Sequence, residues 1–135
     1  MENYLCEAVL PSDTSRMAKF NQAIIALLEA AKFNPKTIFG IRLATEEAFV
    51  NAIKHGNGGD HDKHVMVSCR ISENVFTIRI KDEGEGFEPG EVPDPTAPEN
   101  LAKPSGRGLM LMRNYLKVEF NETGNCVTME LAKRL

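Results

Sequence analysis

A chain of 135 residues, 42% apolar and 26% charged, carries enough hydrophobic material for one core without covalent staples, so a single domain spanning 1–135 is expected. Its formal net charge of −3 supplies no basic footprint, which argues against direct contact with nucleic acid. Met1-Glu2-Asn3 lacks the basic and apolar regions of a signal peptide, and no apolar run approaches the ~18 residues of a membrane span. A soluble, cytoplasmic protein with no membrane partner is the expectation.

In chain order, Tyr4 to Leu10 is short, apolar and β-compatible, and Pro11-Ser12-Asp13 stops it while offering cap side chains. From Ser15 to Phe33, Met17, Phe20, Ile24, Leu27 and Ala31 recur at three- and four-residue intervals, the stripe of an amphipathic helix. Asn34-Pro35 starts a second helix, with Asn as the cap and Pro at the first helical position, where its missing N–H costs nothing. That helix is expected to run to about His55 and to close at a left-handed Gly56, ahead of an Asn57-Gly58-Gly59-Asp60 loop.

His64 to Ser72 alternates, with Val65, Val67, Cys69 and Ile71 on one face. After a tight Glu73-Asn74 connection, Phe76, Ile78 and Ile80 alternate again, which predicts a hairpin ending at Asp82. Five of the seven prolines fall between Phe87 and Ser105, a stretch with no usable periodicity, and a loop of that length is a functional lid or a disordered segment. Gly108 to Tyr115 reads as a short helix with Leu109, Met112 and Leu116 inward. Strands Lys117–Phe120 and Cys126–Leu131 follow, joined by the 121–125 turn. Cys6, Cys69 and Cys126 lie in strand-like stretches without metal-ligand spacing and read as reduced core or strand residues. Consecutive hairpins and amphipathic helices together predict an α+β fold: a two-layer α/β sandwich, with a mostly antiparallel sheet covered by helices on one face.

Three segments carry candidate chemistry. Glu47, Asn51 and His55 are spaced i, i+4 and i+8, so a straight helix keeps them on one stripe. There Asn51 could ligate Mg²⁺ while Glu47 takes a proton from a hydroxyl or from water; the alternative is an ordinary solvated helix face. Asp82-Glu83-Gly84-Glu85-Gly86 follows a strand, so Asp82 could accept a hydrogen bond from the exocyclic amine of a base while Gly84 and Gly86 let the backbone approach a flat ligand. An Asp-initiated glycine turn is the alternative. Ser105-Gly106-Arg107-Gly108 opens a helix whose N–H groups favour a phosphate, with Arg107 adding charge, although no Walker A lysine follows. His55, His61 and His64 with Asp60 and Asp62 lack calcium-loop spacing and a closing Glu, and no transition-metal site is assigned there.

In this order, and separated by a proline-bearing lid at about 87–105, the three segments resemble the N, G1 and G2 boxes of the histidine-kinase-like (GHKL, Bergerat-type) ATPases. The first box, Glu47-Ala48-Phe49-Val50-Asn51-Ala52-Ile53-Lys54-His55-Gly56, on a single short domain, is similar to that of the anti-sigma factor serine/threonine kinases of bacterial partner-switching systems. The resemblance implies the Bergerat-type ATP-binding fold, with ATP and Mg²⁺ as cofactors. It implies Glu47 as general base, Asn51 as the Mg²⁺ ligand, and Asp82 as the adenine reader. Gly84 and Gly86 would form the adenine-side turn, and Gly106, Arg107 and Gly108 the phosphate side. It further implies a protein kinase that phosphorylates a serine or threonine of an anti-anti-sigma antagonist and sequesters a sigma factor. Homodimerisation is compatible with the resemblance, though no exposed stripe demands it. Competing readings are a non-catalytic ATP-binding module that sequesters a partner, and an isolated ATPase domain with another partner. Glu47 and Asn51 together favour the enzyme, because a pure binder has no use for a base there.

Overall fold

Period-two burial decides the sheet and period-3.6 burial the layer that covers it. A computed structural model describes residues 4–73, 75–84 and 106–132. Along the chain it contains β1 (Tyr4–Pro11), α1 (Thr14–Ala30), α2 (Pro35–Val50), a π-helical turn (Asn51–Gly56), β2 (His64–Ile71), β3 (Val75–Lys81), α3 (Gly106–Tyr115), β4 (Lys117–Phe120) and β5 (Cys126–Ala132). The strands form one open sheet in the order β1-β2-β3-β5-β4, antiparallel at every pairing. On the covered face Val65, Val67, Cys69, Ile71, Phe76, Ile78, Ile80 and Met129 are buried against Ile24, Leu28, Ile41, Ala48 and Met112 of the helices. The α+β sandwich read from the alternation is the observed architecture. Expectations for the lid at 87–105 and for Asn74 fall outside the described residues, and no helix among those described is long and apolar enough to cross a membrane.

Local signals start the helices where the sequence places them. Asp13 caps α1 by accepting from the Ser15 N–H and hydroxyl, both at 2.8 Å, and these bonds hold its carboxyl below the usual range. Asn34 caps α2 through the Thr37 N–H at 2.8 Å. The two helices meet through the edge-to-face rings of Phe20 and Phe49, 6.4 Å apart, and through the buried Thr45 hydroxyl, 2.8 Å from Asn21 Oδ1. α3 lies antiparallel beside α2, and the ring of Tyr115 occupies the space that a Cβ on Gly40 would need. Cys69, opposite Cys6 in the β1–β2 register, is sealed under the helices, and burial pushes its thiol up to about 12.

Helix α1 stops three residues before the predicted Phe33 because the chain closes it with a Schellman turn. Phe33 N–H donates to Leu28 O (3.1 Å) and Lys32 N–H to Glu29 O (3.0 Å), while Phe33 itself buries in the core. Lys32 takes the left-handed position at φ 61°, where glycine is favoured. An L side chain in that conformation costs about 1–2 kcal/mol. Lys32→Gly is therefore expected to stabilise the fold by about 1 kcal/mol, read as a rise in the urea midpoint at unchanged slope.

Candidate active site

Helix α2 does not continue regularly to His55. From Asn51 it widens into the π-helical turn, and Asn57 N–H donates to Ala52 O, five residues back, at 2.8 Å. Gly56 is not left-handed; positive φ falls on Gly58 (61°) and Gly59 (73°) instead. What demands glycine at 56 is crowding, since a Cβ there would land on the Asp82 carboxyl group. A Cβ on Gly84 would land on the Gly56 carbonyl oxygen. The glycine turn after β3 is thus pressed directly onto the end of the π turn.

Asn57 holds that contact in place. Its side chain is 2% exposed, donates to Ser12 Oγ (2.9 Å) and His64 O (3.0 Å), and accepts from the Glu83 N–H at 2.7 Å. One carboxamide therefore ties the end of β1, the start of β2 and the turn after β3 to the π turn. The Glu83 carboxylate bonds the His64 N–H and stands 3.7 Å from His64 Nδ1, closing the same corner. Sequence reading placed Asn57 only in a loop, and nothing in an Asn-Gly-Gly run distinguishes a buried anchor from a solvated turn.

Asp82 is 8% exposed. Its Oδ1 accepts from the Gly84 N–H at 2.8 Å, and its own N–H donates to Asn125 O at 2.9 Å. Burial raises the carboxyl above the usual range; its bonds to backbone N–H groups and the positive charge of Lys63 pull the other way and only in part offset it. Asp82 looks into a narrow cavity of ≈ 50 Å³, more than the ~10–15 Å³ a water requires, so water or a ring edge has room beside the carboxylate. Ala48, Ala52, Ile80, Met112 and Val127 make an apolar floor, and Asn51, His55, Asp82 and Asn125 the polar rim. A wider groove of ≈ 460 Å³ between α1 and α2 holds the exposed Arg42–Glu46 pair and no buried carboxylate. The narrow cavity is the better site because apolar walls and convergent polar groups meet there.

The two neighbouring glutamates separate. Glu46 turns outward and pairs with Arg42 at 3.2 Å, whereas the Glu47 carboxylate lies against Gly108 in the first turn of α3, where a Cβ would strike it. Of the predicted stripe, Asn51 and His55 line the cavity, whereas Glu47, one turn back, is not among its lining residues. Desolvation lowers the His55 pKa below the ordinary 6.5; the Glu47 carboxylate opposes that shift and Lys54 adds to it. The imidazole is therefore mainly neutral at pH 7 and leaves the Glu47 charge unpaired by an imidazolium. Gly106 and Arg107 open α3 as backbone, while the Arg107 side chain, Glu85 and Gly86 lie outside the described residues. The sequence marks the 121–125 turn only as a strand connection. It forms a cavity wall, with Gly124 at φ 79° and Asn125 bonded to Asp82 through the backbone.

Comparison with known proteins gives this geometry a context. Residues 10–131 match the family described as histidine kinase-like ATPase domain. The chain is 31% identical over 107 residues to an anti-sigma F factor of Clostridium novyi (strain NT), covering 74% of this chain and 73% of that protein. It is 35% identical over 80 residues to an anti-sigma F factor of Halalkalibacterium halodurans (56% and 53% covered). It is 25% identical over 79 residues to a serine-protein kinase, RsbW, of Listeria innocua (58% and 50% covered). In the last two matches the chain spans about half of the relative's length.

Two outcomes test the corner that Asn57 and Asp82 build. Asn57→Ala strips partners from several buried groups, each worth about 1–3 kcal/mol when left unsatisfied, and is expected to cost upwards of about 2 kcal/mol in urea unfolding. Because the folded pKa of Asp82 is raised, the native state prefers the protonated acid. The stabilisation is complete below the unfolded value of 3.8 and is lost as pH rises through the folded pKa. Asp82→Asn is therefore expected to be more stable than wild type at pH 7–8, with the difference closing toward pH 4, as followed by thermal unfolding across pH.

Proposed function

Because the chain belongs to the histidine kinase-like ATPase domain family, we propose that the cleft binds ATP with Mg²⁺ and that the protein is a serine/threonine kinase acting as an anti-sigma regulator. In this reading its substrate is an anti-anti-sigma antagonist protein, and the free kinase sequesters a sigma factor. The carrying observation is that Asn51 and Asp82, from two separate segments, line one cavity, while the Glu47 carboxylate, one turn before Asn51, lies against Gly108 in the first turn of α3. The names of similar proteins, anti-sigma F factor and serine-protein kinase, supply the two halves of the reading. The whole of 1–135 would then be one ATPase domain with 87–105 as its lid, working in the cytoplasm.

Each described residue has a task in this chemistry. The buried Asp82 carboxylate accepts from the adenine 6-amino group, and Gly84 lets the ring approach the backbone. Gly106, Arg107 and Gly108 open a ten-residue helix whose first-turn N–H groups and dipole favour phosphate oxygens. The Glu47 carboxylate takes the proton of the acceptor serine or threonine as its oxygen bonds to the γ-phosphorus and the bond to the β-phosphate oxygen breaks, releasing ADP. The donor set suits a hard cation: Asn51 offers a neutral oxygen, and Mg²⁺ is typically held by one or two protein oxygens together with substrate phosphates. Bound there, Mg²⁺ would supply charge neutralisation to the triphosphate. No trio of His, Cys, Asp or Glu among the described residues could hold a metal unaided.

Incubation with Mg-ATP and an antagonist of this class is expected to move phosphate to a partner serine or threonine. Glu47→Ala should lower the transfer rate by about 10²–10⁴-fold while nucleotide affinity stays within a few fold. Phosphate release that needs no partner would support an isolated ATPase instead, and complex formation indifferent to nucleotide would support a sequestering module. Transfer intact in Glu47→Ala refutes the assignment of the base.

A further inference from the structure

We propose that Cys6 and Cys69 form a redox modification site, joining in a reversible cross-strand disulfide when a hydroperoxide oxidises Cys6. The inference is independent of the nucleotide reading above, because the pair lies at the β1–β2 edge of the sheet and lines no part of the cavity.

Sheet geometry brings the two thiols together. Cys6 and Cys69 are partners in the antiparallel β1–β2 register and share its covered face, Cys69 within the core and Cys6 packed against it. Residues directly opposite on such a ladder have Cα atoms about 4.5 or 5.5 Å apart, and both values lie within the ~4.4–6.8 Å that a disulfide spans. Their Cβ atoms, about 4.5–5.5 Å apart in such a pair, need close by no more than about 1 Å. β1 is an edge strand, paired with β2 alone among the described strands, so it is free to make that approach. Burial first, and then the charge of Cys6, push the Cys69 thiol up, so the two groups also act on each other electrostatically. Cys126 stands apart on β5, where two strand spacings, roughly 9–10 Å, separate it from β2.

Exposure divides the chemistry between the two sulfurs. The inward residues of β2, Val65, Val67, Cys69 and Ile71, are all buried, whereas Leu10, Ala8, Cys6 and Tyr4 opposite them on β1 are each part-exposed. Cys6 therefore meets a dissolved oxidant first, while Cys69, 1% exposed, stays protonated behind it. With hydrogen peroxide, an S–O bond forms at Cys6 as the O–O bond breaks, and the departing oxygen leaves as water. The Cys69 sulfur then attacks the sulfenic sulfur of Cys6: the S–S bond forms, the S–O bond breaks, and the hydroxyl leaves with the Cys69 proton as a second water. Two thiols thus lose two electrons and one peroxide gains them. Conversion of Cys6 to a neutral sulfenic acid also removes the charge that opposes ionisation of Cys69, which favours the second step. A dithiol reductant reverses the bond by attacking the more exposed Cys6 sulfur. The bond closes a loop that contains α1, α2 and the π turn, so oxidation constrains the unfolded chain and stabilises the folded one.

The test treats the full chain with a slight excess of hydrogen peroxide, alkylates the remaining thiols after denaturation, and maps the products by mass spectrometry with and without later dithiothreitol. Wild type is expected to lose two of its three alkylatable cysteines, to yield a peptide pair joining Cys6 to Cys69 within one chain, and to recover all three with the dithiol. Its urea midpoint should rise on oxidation and return on reduction. In Cys69→Ala the reaction should stop at a Cys6 sulfenic acid that a dimedone probe captures, and in Cys6→Ser the Cys69 thiol should survive the same exposure. The wild-type map decides the matter even where a variant fails to fold. Three alkylatable cysteines in treated wild type, a Cys6 that halts as an acid with Cys69 still free, or a bond to Cys126 or between two chains overturns the inference.

Discussion

The constraint on which the cleft depends is the seating of the Asp82 carboxylate on the Cα of Gly56, with Gly84 folded against the Gly56 carbonyl. Neither glycine is there for its φ angle. Each is there because the strand-end turn and the helix-end turn approach until no side-chain carbon fits between them. Once that approach is required, the rest of the corner follows. The π turn supplies a wider exit from α2, and Asn57, at its end, satisfies donors and acceptors from the segments that crowding brings together. A carboxylate buried this way raises its own pKa and weighs against stability at neutral pH. An arrangement with that cost marks a functional site more than a structural one.

Stability comes from elsewhere, chiefly the layer of apolar residues between sheet and helices. That layer also lines the cavity, because Ala48, Ala52, Ile80 and Met112 belong to it and form the cavity floor as well. A flat, apolar ring can rest on such a floor with its polar edge turned to the rim, where low local polarity strengthens each hydrogen bond. Core packing and cavity lining are therefore two uses of the same surface.

The sequence was most legible where one periodicity dominates. Val65-Val67-Cys69-Ile71 and Phe76-Ile78-Ile80 announce a two-stranded hairpin with one buried face, and Asp13 and Asn34 announce helix starts through side-chain chemistry confined to a few neighbours. Glu47 over Glu46 was also decidable, because only one of them shares a face with Asn51. Illegible features depend on partners far away in the chain. The π turn has no pattern of its own, since Asn51 to Gly56 reads as ordinary helix, and the turn after β3 that presses against it lies far along the chain. Asn57 and Asn125 look like polar loop residues, and only the fold reveals that one is buried among three partners and that the other lines the cavity. Lys32 at a left-handed helix end runs against the glycine preference, so periodicity carried the predicted helix past its true stop.

At the opposite end of the cleft a second pair of glycines sets distance instead of conformation. Gly40 on α2 receives the ring of Tyr115 from α3, and Gly108 on α3 receives the carboxylate of Glu47 from α2. Gly40 and Glu47 are seven residues apart, as are Gly108 and Tyr115, so two antiparallel helices meet twice, two turns apart, each lending one small residue and one large one. This reciprocal fit fixes the separation of the backbones along the seam, and with it where the Glu47 carboxylate stands relative to the first turn of α3. A methyl group at Gly40 would push Tyr115, and with it the far end of α3, away from α2, although Gly40 itself lies two turns from the cleft. The Asp82 end of the cleft is thus held by a polar anchor and the Glu47 end by close helix packing, and the position of Glu47 depends on the less directional of the two.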